Sequence, residues 1–188
     1  MNARKGRFHQ TAMGREFWPL DPRADEVHFD DIAWALSMQV RFGGHVKGPY
    51  TVAQHSVLVS DVVEKLRGTL DEQRAGLLHD ASEAYCVDVP RPIKPHLIGY
   101  KEIEIGIQKA IGERFGVDAG LFESKLIKIA DNVVLATEKR DCRRGKPRQS
   151  EIDELPAPMV ERITILDHDD ALYEFAVRAR ELGIDVML

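Results

Sequence analysis

The sequence predicts an all-α protein. Three observations carry that expectation. Apolar residues recur at three- and four-residue spacing along most of the chain, capping residues stand in front of those runs, and no stretch alternates like a half-buried strand. With 188 residues, 44% hydrophobic and 30% charged, the composition is that of one globular domain with a substantial core. The expected organisation is an irregular N-terminal arm over residues 1–28, a helical core over about 30–142 and a C-terminal helix over about 169–183.

The arm is broken by prolines and is expected to pack through Phe17, Trp18 and Leu20. Asp30 is placed to cap a helix in which Ile32, Ala35, Leu36 and Val40 share a face, and "RFGGHVKGP" then interrupts it. Thr51 caps a second helix, whose stripe of Val52, Val59, Val62, Val63 and Leu66 takes in His55. Asp71 opens a third, which carries "LLHDASEAY" and stops before "DVPRPIKP". Three prolines there forbid regular helix and favour an extended, stiff loop. "YKEIEIGIQKAIGERFG" lines up Ile103, Ile107, Ala110, Ile111 and Phe115 and ends at Gly116. "ESKLIKIADNVVLATEKRD" is the most apolar helix, with Asp131 embedded in it. "RRGKPRQSEIDELPAP" reads as an exposed loop, and the last helix buries Leu172, Phe175, Ala176, Ala179 and Leu182.

A formal net charge of −5 argues against a nucleic-acid polymer as partner, since such proteins carry a basic excess, and leaves a small anion in a local cationic pocket. No run approaches the roughly 18 apolar residues of a spanning helix, so no membrane partner is expected. "MNARKGRF" precedes no apolar stretch of signal-peptide length. Cys86 and Cys142 make neither a disulfide framework nor a metal pair. A cytoplasmic protein is the expectation.

His55, His79, Asp80 and Asp131 all fall in otherwise apolar helices. An unpaired buried carboxylate costs roughly several kcal/mol, and a divalent cation would remove that cost at all four positions. Two imidazoles with two carboxylates suit Mn, Co, Fe, Ni or Zn, and suit Mg less well. Adjacent His79 and Asp80 lie about 100° apart on a helix, with Glu83 one turn beyond His79. From there Glu83 could orient or deprotonate a water. The same two letters recur at His168-Asp169, but there they begin a helix, where carboxylates are favoured by the dipole.

The ordered set H…HD…D resembles the HD-domain metal-dependent phosphohydrolases, a family of helical bundles. "RF" before the first histidine of the set, "VAQHS", "LLHDASEAYCVDVPRPIKP" and "IADN" are similar to the branch of bacterial 5′-deoxynucleotidases and phage deoxynucleotide triphosphohydrolases. The resemblance runs from about Asp30 to Asp141. It implies a metal at His55, His79, Asp80 and Asp131, with Glu83 as the water-activating carboxylate. It implies phosphate contact by Arg41, an aromatic contact by Phe42 where the deoxynucleotidases have tryptophan, and Asp88 near the deoxyribose 3′-hydroxyl. Lys94 matches the lysine of the Pro-x-Pro-x-Lys stretch, and Lys128 resembles a phosphate-contacting lysine of the triphosphohydrolases. His45, between Gly44 and Val46, either reaches the substrate or finishes a turn. The resemblance further implies a deoxynucleotide substrate and a homo-oligomer, dimer or higher.

The expected activity is therefore hydrolysis of the 5′ phosphate ester of a 2′-deoxynucleotide, with triphosphohydrolase chemistry releasing tripolyphosphate as the alternative. A cyclic-nucleotide phosphodiesterase is disfavoured, because His96 and His168, downstream of the HD pair, do not follow the dinuclear pattern. A non-catalytic metal- or nucleotide-binding regulator on the same scaffold is the competing class, and Glu83 beside a full ligand set argues against it. A helical structural protein would bind no metal at all.

Overall fold

The computed structural model describes residues 4–186. Among the described residues, seven α-helices form the fold: α1 (Phe29–Met38), α2 (Val52–Lys65), α3 (Leu70–Leu78), α4 (Glu83–Cys86), α5 (Tyr100–Phe115), α6 (Lys125–Asp141) and α7 (His168–Glu181). The protein is all-α, as its periodicity dictates. α2 is the centre, packed against α1, α3, α6 and α7, while α5 lies to one side against α4. Phe29 stacks on Phe175 with ring centroids 5.6 Å apart and meets Phe115 edge-on, so one aromatic cluster joins α1, α5 and α7. No described helix is long and apolar enough to cross a membrane.

Helix starts follow side-chain capping. Thr51 accepts the Gln54 N–H at 3.3 Å, Ser124 that of Ile127 at 3.4 Å, and Asp167 that of Asp170 at 2.9 Å. His168 and Asp169 thus open α7, with the Asp169 side chain 94% exposed, and among the described residues the pair belongs to no metal-holding cluster. Two expected caps move. Asp30 lies inside the first turn of α1, because with Asp31 it takes Arg15 of the arm, at 2.8 Å to each carboxylate. Thr69, not Asp71, caps α3 through a capping box: its Oγ1 accepts the Glu72 N–H and Glu72 Oε2 accepts the Thr69 N–H at 2.8 Å.

The arm is more ordered than its punctuation suggests. Strands β1 (His9–Gln10) and β2 (Glu16–Phe17) pair antiparallel, with Gly14 turning the chain at φ 81°. Phe17 is buried and Trp18 is covered by Phe8 and the Arg4 guanidinium, whereas Leu20 stays 42% exposed. The segment after Asp88 is curled rather than extended: Ile93 N–H bonds to the Pro90 carbonyl at 2.8 Å and a 3-10 turn follows over Lys94–His96.

The third helix does not run through the motif. α3 ends at Leu78, and residues 79–82 wind tightly, with Ala81 N–H on Leu78 O and Glu83 N–H on Asp80 O, both 2.9 Å. These bonds span three residues instead of four, so His79, Asp80 and Glu83 fan inward rather than following ideal helical angles.

One glycine brings the pieces together. A Cβ on Gly76 would stand 3.2 Å from both Ser60 Cα and Val63 Cγ2, so glycine lets α3 lie this close to α2 without displacing it. Gly76→Val is expected to push the two helices apart and lower stability by about 1–3 kcal/mol. A lower urea midpoint checks this; an unchanged one would refute the close-packing role.

Candidate metal centre

α2 supplies His55, the tight turn after α3 supplies His79 and Asp80, and α6 supplies Asp131. The ligand atoms of His55, His79 and Asp80 all lie within 4.8 Å of one another. His55 Nε2 is 3.3 Å from His79 Nε2, 3.5 Å from Asp80 Oδ2 and 3.4 Å from Asp131 Oδ1. His79 Nε2 is 3.2 Å from Asp80 Oδ2. Asp131 leans outward as well, since Arg91 Nη2 donates to its Oδ2 at 2.9 Å.

The other ring nitrogens decide what this cluster can hold. His79 Nδ1 sits 2.8 Å from the Gly76 carbonyl, which can only accept, so Nδ1 carries the proton. His55 Nδ1 sits 2.7 Å from Glu138 Oε1. Burial opposes ionisation of Glu138, but Arg41 and His55 outweigh it and hold its pKa at about 2. That carboxylate also only accepts. Both Nε2 atoms therefore turn lone pairs toward each other and toward Asp80, with Asp131 beside His55; Arg41 and Arg91 donate to these two carboxylates and not to the rings, so the facing imidazoles call for a cation between them. The donor set fits a divalent metal on chemistry alone.

Without a metal, a proton fills part of that role. Burial disfavours a charged His79, yet Asp80 beside it prevails and raises its pKa from 6.5 to about 9. Asp80 is driven far below the carboxylate range despite burial, chiefly by His79, with His55 and Arg41 adding.

Beside the cluster opens a cavity of about 680 Å³, lined by Arg41, Phe42, Asp80, Glu83, Asp88, Lys94 and Asp131 among others. The resemblance-based residues thus converge, with two exceptions. His45 is exposed and ends the 3-10 turn Phe42–Gly44 without lining the cavity. Lys128 points away, 61% exposed and 2.9 Å from Glu123 of the preceding turn. Arg41 is nearly buried, 3.4 Å from Asp80 and 3.2 Å from Glu138, and those carboxylates secure its charge against burial. Its Nε is nevertheless not aimed at Glu138 for a hydrogen bond. Lys94 pairs with Glu104 at 2.5 Å.

Glu83 is 4% exposed, and its Oε2 has no hydrogen-bond partner. Burial first, then Asp80 and Asp88, hold its pKa well above the ordinary carboxyl range. Asp88 is raised too, mainly by burial, with Arg41 opposing.

Several contributors were not expected. Glu138 is wholly buried and links His55 to Arg41. The spacing could have revealed it, because Glu138 stands seven residues after Asp131, on the same helical face. Arg91, Lys139 and Arg143 also line the cavity. Arg143 belongs to a stretch that reads as an exposed loop, but its guanidinium lies over the Phe42 ring at 5.2 Å. Ser150, Glu151, Glu154 and Leu155 of that loop complete the far wall.

Fold and site together define an all-α protein with a candidate His/Asp metal centre. No family model matches the chain. It is 40% identical over 134 residues, 71% of each chain, to the uncharacterized protein YfdR of Escherichia coli K12. It is 33% identical over 136 residues, 69% of each chain, to the uncharacterized protein RCAP_rcc00048 of Rhodobacter capsulatus. The chain belongs to the family of these two proteins.

Two outcomes follow from this geometry. Glu138→Gln removes the charge that orients His55 and is expected to weaken Mn²⁺ binding by about 10–100-fold, read by calorimetric titration. In metal-free protein, the raised pKa of His79 adds stability that is complete below 6.5 and disappears as pH rises through about 9. Thermal midpoints of chelator-treated protein should fall across that window, and a flat profile would contradict the proton at His79.

Proposed function

We propose that the protein is an HD-domain phosphohydrolase that cleaves the 5′ phosphate ester of a 2′-deoxynucleotide. The observation that carries this reading is the cluster of His55, His79 and Asp80, with Asp131 3.4 Å from His55, beside the unpartnered, buried carboxyl of Glu83. His55, His79, Asp80 and Asp131 would hold Mn, Co, Fe, Ni or Zn in preference to Mg. When bound, such an ion supplies a Lewis acid that withdraws charge from a phosphoryl oxygen.

The chain's own groups do the rest. Arg41, held charged by Glu138 and Asp80, faces the cavity and neutralises phosphoryl oxygens. Glu83 is a stronger base than a surface glutamate, because burial and its acidic neighbours raise its proton affinity. It takes a proton from water as the water oxygen bonds to phosphorus, and returns it to the sugar oxygen as the phosphorus–oxygen bond breaks. Asp88 and Phe42 line the same cavity, where the sugar and base would sit. A regulator that only binds metal has no use for a buried, unpaired Glu83.

A second reading has one observation in its favour. The cavity continues past the cluster to Lys139 and Arg143, two cations that a monophosphate does not need. They favour a triphosphate substrate with release of tripolyphosphate.

Glu83→Gln is expected to lower turnover by about 10²–10⁴-fold while leaving Mn²⁺ binding intact. Asp80→Ala should lose both. Assays would use Mn²⁺ or Co²⁺ with mono- and triphosphates of the four deoxynucleosides, resolving phosphate from tripolyphosphate. Full turnover in either variant would remove the role given to that residue.

A further inference from the structure

Gln39 follows the last turn of α1, and its side chain reaches the backbone of Glu83 and Asp88, two residues that line the cavity. Its Nε2 donates to the Glu83 carbonyl at 3.0 Å and lies 3.4 Å from that of Ala35, while its Oε1 accepts the Asp88 N–H at 3.1 Å. Two carbonyls on one side and an N–H on the other admit only one orientation of the amide. The backbone is fixed too, because the Gln39 carbonyl accepts the Val52 N–H at 3.0 Å, at the start of the helix that carries His55.

The segment it grips cannot hold itself. α4 is a single turn, and a lone turn is not stable without tertiary support. Val87 after it has φ 61° and ψ 154°, a region that β-branched residues avoid at a cost of about 1–3 kcal/mol. Partners must hold that conformation in place. Tyr100 Oη donates to the Val87 carbonyl at 2.9 Å, and Phe17 stacks on Tyr85 with centroids 3.8 Å apart. Among the described residues, Gln39 is the side chain that bonds to both Glu83 and Asp88.

We infer that Gln39 is a positioning residue: by clamping the Glu83 carbonyl and the Asp88 amide it fixes the water-activating carboxylate relative to the substrate-seating one. This rests on the phosphohydrolase reading for its kinetic consequences, and on the hydrogen bonds alone for its structural ones. The bonds also separate two effects. The donor side of the amide serves Glu83, and the acceptor side serves Asp88.

Two variants of the full chain test it. Gln39→Met keeps length and volume but neither bond; Gln39→Glu keeps the acceptor and loses the donor. Amide hydrogen exchange, which needs no turnover, should accelerate at Asp88 by about tenfold or more in Gln39→Met and stay slow in Gln39→Glu, with α6 unchanged in both. With deoxynucleotides, Gln39→Met should lower kcat about tenfold and raise KM, whereas Gln39→Glu lowers kcat and leaves KM. Titration with Mn²⁺ alone should match wild type in both. Wild-type exchange at Asp88 in Gln39→Met overturns the proposal, as does parallel loss of kcat and Mn²⁺ affinity in both variants, which signals general disruption. Should Gln39→Met not fold, exchange and the kcat-against-KM split in Gln39→Glu still decide. If wild-type protein turns over no nucleotide, the phosphohydrolase reading fails while the exchange experiment still judges the clamp.

Discussion

Two imidazole nitrogens face each other at 3.3 Å, and the other nitrogen of each ring is held by a group that can only accept. Much of the surrounding architecture is needed to make that encounter possible. Gly76 contributes twice, by having no side chain between α3 and α2 and by offering its carbonyl to His79. Glu138 contributes on the other side, and its own negative charge is sustained in a fully buried place by Arg41 and His55. Removing any one of these groups leaves a buried charge or lone pair without compensation, which costs more than the contact itself contributes.

The cavity beside this centre mixes signs. Acidic groups gather at the end beside the His/Asp cluster, and Arg41, Arg91, Lys94, Lys139 and Arg143 line the walls. In the free protein several of these cations are occupied: Arg91 by Asp131, Lys94 by Glu104, and Lys139 by Glu151, whose carbonyl accepts from it at 3.2 Å. An anionic ligand entering the cavity would therefore exchange partners instead of filling bare charge. Such exchange favours ligands whose anionic groups match the spacing of the walls.

The fold class was legible because apolar periodicity and capping residues agree along most of the chain. His55, His79, Asp80 and Asp131 stood out for the opposite reason, as ionisable residues inside apolar stripes. Glu138 obeys the same rule but precedes Lys139, Arg140 and Asp141, and in that company reads as a solvated helix end. The break after Leu78 was illegible, since one turn wound with three-residue bonds leaves helical spacing unaltered over so short a stretch. Gln39 and Arg143 acquire their places only when distant segments fold back over the cavity. No local pattern encodes that.

The distance along the chain between partners in this centre has a further meaning. Arg41 meets Glu138 across 97 residues and His55 meets it across 83. Contacts of such separation require the long loops between them to be closed. A chain that has built its individual helices but not yet brought α6 onto α2 has no complete centre to offer an ion. An ion captured there would report completed folding and would draw the last step of assembly forward by mass action.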